Sequence, residues 1–155
     1  MDDIDRLAAI QDIRQTKAKY FWGLDHKDWD LWRREVWAPE GRLEVPEVDE
    51  VYEPLEKVIE AVSQQVGDQV SVHHGHTPII DFVSDTEAKV IWAMEDRLFR
   101  SKEYPLHDGS MLLHGFGHYH ETYVKLDAGW RIQSSRLTRL RLEMTKIFGL
   151  PGDLG

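Results

Sequence analysis

The apolar residues of this chain change their spacing near its midpoint, and that change restricts the fold more than any other feature. Ile4, Leu7, Ile10, Ile13, Tyr20 (or Phe21) and Leu24 recur at helical spacing, which predicts one amphipathic helix over residues 3–23 that ends at Gly23. Asp28 is placed to cap a second, short helix, Trp29–Val36, with Trp32 and Val36 on one face. Pro39-Glu40-Gly41 reads as a turn, Arg42–Val45 as a short strand stopped by Pro46, and residues 46–53 as acidic and irregular. Pro54 opens a third helix over 54–66, with Leu55, Val58, Ile59 and Val62 as its stripe and Gly67 at its close.

Beyond Val70 the period falls to two. Val70–Val83 is β-branched and reads as one strand bent at Thr77-Pro78. Ala88, Val90, Trp92, Met94, Asp96 and Leu98 then share one face of the next strand. A loop over 101–109 leads to a strand at Met111–Leu126, a tight turn at Asp127-Ala128-Gly129, and a final strand at Trp130–Met144. Trp130, Ile132, Ser134, Arg136, Thr138, Leu140 and Leu142 are expected to share one side of that last strand. Helices first and long antiparallel strands last is the α+β pattern. A long sheet curving around a helix leaves a concave face whose mouth suits a small ligand.

At 155 residues the chain is expected to form a single domain over 1–150, with a flexible tail at 151–155. A net charge of -9 disfavours a nucleic-acid surface, since phosphates require a basic face. The absence of cysteine removes disulfides and thiolate chemistry. The acidic start MDDIDRL has no secretory character and no apolar run reaches membrane-spanning length, so no membrane partner and a cytoplasmic location are expected. Six Trp, five Tyr and five Phe imply either a bulky core or an aromatic pocket.

Four polar residues interrupt the apolar pattern where chemistry could use them. Tyr20 and Asp25 lie at the end of the first helix, His73 near the start of a strand, and Asp96 on the apolar face of the next. A carboxylate on one ring nitrogen of a histidine fixes its tautomer and leaves the other nitrogen to move a proton. Asp25 and His73 suit those roles. Asp96 needs a partner, because an unpaired buried carboxylate is costly, and Arg97 points to the opposite face. Arg136, Arg139 and Arg141 give the last strand a basic character suited to pairing with the many acids or to an anionic substrate group. His74 with His76 and His118 with His120 form two His-x-His pairs, and GDQVSVHHGHTPIID is a near miss to the first cupin motif. No second motif follows it, so no metal and no other cofactor is expected. Trp22, Trp92, Met94, Phe116 and Tyr119 are the candidate substrate-binding walls.

The stretch IQDIRQTKAKYFWGLDHKDWDLW and the close GHYHETYVKLDAGWRIQSSRLTRLRLE resemble the SnoaL-like branch of the nuclear-transport-factor-2-like superfamily. The resemblance implies a cone-shaped α+β fold with N-terminal helices packed on a curved, mainly antiparallel sheet. Within that superfamily, scytalone dehydratases, hexachlorocyclohexane dehydrochlorinases and bile acid 7α-dehydratases pair an Asp at the end of the first helix with a strand His. Asp25 in GLDHKDW and His73 in VHHGHTPIIDF match those positions. Tyr20 and Asp96 match a Tyr and a late-strand Asp used by the bile acid enzymes. The second histidine of scytalone dehydratases has no counterpart, since Arg97 or Leu98 falls near its place. The resemblance thus implies a cofactor-independent lyase or dehydratase acting on a hydrophobic cyclic or aromatic small molecule, in a homodimer or homotrimer. An isomerase, an epoxide hydrolase or a non-catalytic binding or assembly module is the alternative.

Overall fold

The Asp2 side chain accepts from the Asp5 backbone N–H at 2.8 Å and so caps the first helix, α1, Asp3–His26. The computed structural model describes residues 1–146, and the tail expected at 151–155 lies outside them. A short α2, Trp29–Leu31, runs into a single π turn, Trp32–Val36, where one longer helix was expected. There follow β1, Trp37–Val45, a 3-10 turn at Pro46–Val48, β2, Glu50–Tyr52, and α3, Leu55–Val66. The chain then forms β3, Ser71–Gly75, β4, Ile79–Phe82, β5, Glu87–Phe99, β6, Leu112–Leu126, and β7, Gly129–Thr145.

Gly23 does not end α1. The helix continues one turn further, because Gly23 serves a packing role instead: a Cβ there would lie 2.6 Å from Cδ1 of Trp32. The Trp32 indole crosses α1 at this point and donates Nε1–H to the Tyr20 carbonyl at 3.0 Å. The helix ends at Lys27, which takes the left-handed conformation (φ 58°) and lets the Lys27 and Asp28 amides return to the carbonyls of Leu24 and Gly23. That extra turn fixes the direction of Asp25. The buried stripe of α1 starts at Ala9 and runs through Ile13, Lys17, Tyr20 and Leu24, while Ile4 and Leu7 are exposed.

The sheet order is β2-β1-β7-β6-β5-β3, with β4 also on β5; the β1–β7 pairing is parallel and the others antiparallel. The helices cover its concave face. β5 keeps the expected phase, burying Ala88, Val90, Trp92, Met94, Asp96 and Leu98 together. Three expectations fail locally. Val70–Val83 divides into β3 and β4, both paired with β5. Pro39-Glu40-Gly41 lies inside β1, in the irregular stretch where pairing moves from Trp37–Ile132 to Arg42–Ser134. The acidic segment after Pro46 contributes β2.

β7 departs most. Its pairing with β6 shifts between Thr122 and Tyr123 and again between Phe116 and Gly117, which makes Gln133 and Leu140 extra residues. Each extra residue reverses which side chains face inward. Trp130 and Ile132 point in, but after the first shift Ser135, Leu137 and Arg139 replace the expected Ser134, Arg136 and Thr138. Among the described residues no helix is long and apolar enough to cross a membrane.

Candidate functional site

Asp25, on the last turn of α1, meets the start of β3. Its Oδ1 accepts from His73 Nδ1 at 2.6 Å and from Ser71 Oγ at 3.0 Å, while Oδ2 accepts from the His73 backbone N–H at 2.9 Å. A carboxylate only accepts, so Nδ1 carries a proton, and in the neutral ring Nε2 is left with the lone pair. The backbone bond locks the carboxylate to the same residue whose ring it holds, which fixes the ring plane. Lys27 braces the corner by donating to Ser71 Oγ and to the Asp25 carbonyl, each at 3.1 Å.

The His73 ring faces a cavity of about 70 Å3. Tyr20, Asp96, Tyr119 and Arg139 line it with His73, along with Leu24, Val62, Leu98 and Leu137. Asp96 sits opposite His73 in the β3–β5 register. The partner it required comes from two strands away: Arg139 Nη1 and Nη2 donate to its two carboxylate oxygens, both at 2.8 Å. Gly115 on the intervening β6 makes this possible, since a Cβ there would collide with Arg139 Nη1 and Asp96 Oδ1. Arg139 Nε also donates to Glu47 at 3.1 Å. Burial works against the guanidinium charge, but the hydrogen bonds and charge of Asp96, then of Glu47, outweigh it and keep Arg139 protonated. Burial raises the Tyr20 hydroxyl above its ordinary range, with the charge of Glu121 adding to it, and burial does the same to Tyr119. Both phenols therefore stay protonated and can donate.

Of the expected walls only Tyr119 lines this cavity. Trp22 is a correction: it is 61% exposed and stacks on His26 with ring centroids 3.9 Å apart, because it lies on the outer side of α1. Phe116 is another: it projects from the outer face of β6 against His114, the inner phase being held by Gly115, Gly117 and Tyr119. Trp92 and Met94 are buried core residues on the inner face of β5, and Trp92 lines a separate cleft with Phe21 and Gly75. The histidine pairs do not converge. Among the described residues no group of three or more His, Asp and Glu is placed to hold a metal ion.

A second buried polar cluster lies beside the cavity and escaped the sequence reading. Lys17, only 1% exposed, places Nζ 2.6 Å from Glu121, whose oxygens also accept from Ser135 Oγ at 3.0 Å and Tyr123 OH at 2.8 Å. The ammonium lies 3.8 Å from the ring centroids of both Tyr20 and Tyr119. Burial lowers the Lys17 pKa to about 8, against the opposing pull of Glu121. The signal was present in the spacing: Lys17 continues the Ile13–Tyr20–Leu24 stripe, and Glu121 keeps the phase of Tyr119 and Tyr123.

Comparison with known folds agrees with this architecture. Kfla4162 from Kribbella flavida superposes with a TM-score of 0.80 at 20% identity, covering 89% of this chain and 95% of that one. The hexachlorocyclohexane dehydrochlorinase LinA-type3 from Novosphingobium barchaimii gives 0.79 at 17% identity, covering 96% and 98%. A candidate scytalone dehydratase from Novosphingobium aromaticivorans gives 0.77 at 20% identity, covering 96% and 94%. At these identities the likeness speaks for the fold. The model of the SnoaL-like domain matches residues 5–136, and the chain therefore belongs to the SnoaL-like family.

Proposed function

We propose that the protein is a cofactor-independent lyase of the dehydratase type, acting on a hydrophobic cyclic substrate that carries a carbonyl and a β-hydroxyl. The observation that carries this reading is the 2.6 Å contact between Asp25 and His73 Nδ1, with the His73 ring open to a cavity shared by Tyr20, Asp96 and Arg139. The dehydrochlorinase and candidate dehydratase among the structural neighbours fit the same reaction class.

In this mechanism His73 Nε2 removes a proton from the carbon next to the carbonyl. The electron pair moves into an enolate whose oxygen accepts a hydrogen bond from the Tyr20 hydroxyl. As the carbonyl reforms, the carbon–oxygen bond at the β position breaks, and the imidazolium returns the proton to the departing hydroxyl. The products are an enone and water, and the enzyme ends in its starting protonation state. Asp25 stabilises the imidazolium between the two transfers. Asp96 is engaged on both oxygens by Arg139, so it acts as an anchor for the guanidinium more readily than as a proton donor; Arg139 is then the group that hydrogen-bonds the leaving oxygen.

A panel of cyclic β-hydroxy ketones, followed by the absorbance of the conjugated product, tests the proposal. Turnover by the wild type with a loss of about 10²- to 10⁴-fold in kcat for His73→Ala and Asp25→Asn, at unchanged melting temperature, supports it. Full activity in both variants, or no turnover of any panel member, sinks it. Double-bond migration in place of water loss would identify an isomerase using the same groups.

A further inference from the structure

The cavity at His73 is too small for the ring system just proposed. Its volume of about 70 Å3 is roughly half of the 150 Å3 or so that accommodates one benzene. It does not end there. Leu43, Val45, Glu47, Val62 and Gln65 line it and also line a second, larger cleft of about 390 Å3 between α3, β1, β2 and the 3-10 turn. That cleft lies within the usual range of small-molecule sites, about 300 to 1,000 Å3. Val48, Tyr52 and Ala61 extend its apolar walls, and Val48 is 57% exposed there. The boundary between the two spaces is polar. Glu47 stands at it, 41% exposed and bound to Arg139 Nε at 3.1 Å. A partly exposed ion pair of this kind is weak and separates at little cost.

We infer that the ligand site is bipartite. The chamber at His73 and Arg139 takes the polar, reacting end of the ligand. The cleft between α3 and the β1–β2 edge takes an apolar remainder, and Glu47 yields Arg139 as the ligand passes between them. The ligand is therefore an elongated fused-ring molecule with its oxygen function at one terminus, not a single ring. Placing the polar end at His73 rests on the proposed function; the assignment of the cleft rests on its walls and on the five residues it shares with the chamber.

Two linear probes that differ by one ring test this, 2-naphthol and 2-hydroxyanthracene, titrated by their own fluorescence anisotropy. The expected result is at least tenfold tighter binding of 2-hydroxyanthracene to the wild type. Ala61→Phe, which fills the cleft, and Val48→Glu, which charges its wall, should each remove that advantage, weakening 2-hydroxyanthracene at least tenfold and 2-naphthol, which reaches less far into the cleft, by a smaller factor. Val48 is exposed, so its variant serves if Ala61→Phe does not fold. No binding of 2-hydroxyanthracene, an equal loss for both probes, or no loss for either in the folded variants overturns the inference. His73→Ala separates the two claims. It should lose turnover yet keep the advantage of 2-hydroxyanthracene over 2-naphthol, because both probes place the same hydroxyl end in the chamber. Retained turnover in that variant, with the probe discrimination intact, would remove the proposed chemistry and leave the bipartite site standing.

Discussion

Asp96 and Arg139 face each other across the intervening strand, with both guanidinium Nη atoms 2.8 Å from the two carboxylate oxygens. The pair ties β5 to β7 beneath His73 and sets the shape of the chamber wall. It also resolves a difficulty in the sequence, where an acid on an apolar strand face had no evident partner. A buried ion pair is retained at a considerable desolvation cost, so the pair adds little net stability although either partner left alone would be costly.

Arg139→Met should destabilise the protein by about 3–5 kcal/mol, because it leaves the Asp96 carboxylate buried and unpaired. Asp96→Leu combined with Arg139→Met should recover much of that loss, since apolar groups of similar volume then meet each other. Urea unfolding at pH 7 measures both. A double variant no more stable than Arg139→Met would show that packing, and not the stranded charge, sets the cost.

Gly115→Ala should cost about 1–3 kcal/mol, the range for overpacking a filled site. The methyl group would meet Arg139 Nη1 and Asp96 Oδ1. Its penalty should shrink in the Arg139→Met background, where a flexible side chain can give way. A double-mutant cycle reads this coupling directly, and strict additivity would contradict the contact.

These two variants also mark what the chain disclosed in advance. The phase of β5 was legible because an unbroken period of two has one buried face, and Asp96 was visible on it. Asp25 and His73 were legible by their resemblance to known positions, while their meeting depends on the extra turn of α1 that Trp32 permits at Gly23. Arg139 could not be chosen over Arg136 or Arg141. Bulges at Gln133 and Leu140 reverse the face of β7 twice, and no residue at either position announces one. Trp22 was misplaced for a related reason: aromatic character says that a ring wants cover, but the side of the helix it occupies is decided by which stripe the sheet meets. Lys17 was readable from spacing alone, but a lysine in a charged helix is ordinarily a solvated one.

The tautomer of His73 provides a test that needs no substrate. Asp25 Oδ1 should hold the proton of the neutral ring on Nδ1, so nitrogen-detected NMR of the neutral imidazole in the wild type should show a protonated Nδ1 and an unprotonated Nε2. Asp25→Ala removes the acceptor and should move the population toward Nε2–H, the form that free imidazole side chains prefer. A proton already on Nε2 in the wild type would rule out that nitrogen as the resting base.

The Lys17–Glu121 pair makes a prediction in which the sign is informative. Either single change, Lys17→Met or Glu121→Leu, leaves a buried charge alone and should cost about 3–5 kcal/mol, while the double change should cost much less than the sum. The pH dependence follows from burial, which lowers the folded Lys17 pKa to about 8 from an ordinary value near 10.5. Between those two values the unfolded chain keeps a proton that the folded chain has released, so the unfolded state binds more protons and stability rises with pH. Tyr20, Tyr119 and Tyr123 act oppositely above about pH 10, where the unfolded chain ionises phenols that burial keeps neutral in the fold. Subtracting the double variant, which keeps those tyrosines, isolates the lysine. The stability of the wild type relative to that variant should therefore climb from pH 8 to pH 10.5, as measured by urea unfolding at half-unit steps. A flat or falling difference would mean that Glu121 holds the ammonium charged throughout, and that Lys17 is a permanent cation beneath the Tyr20 and Tyr119 rings.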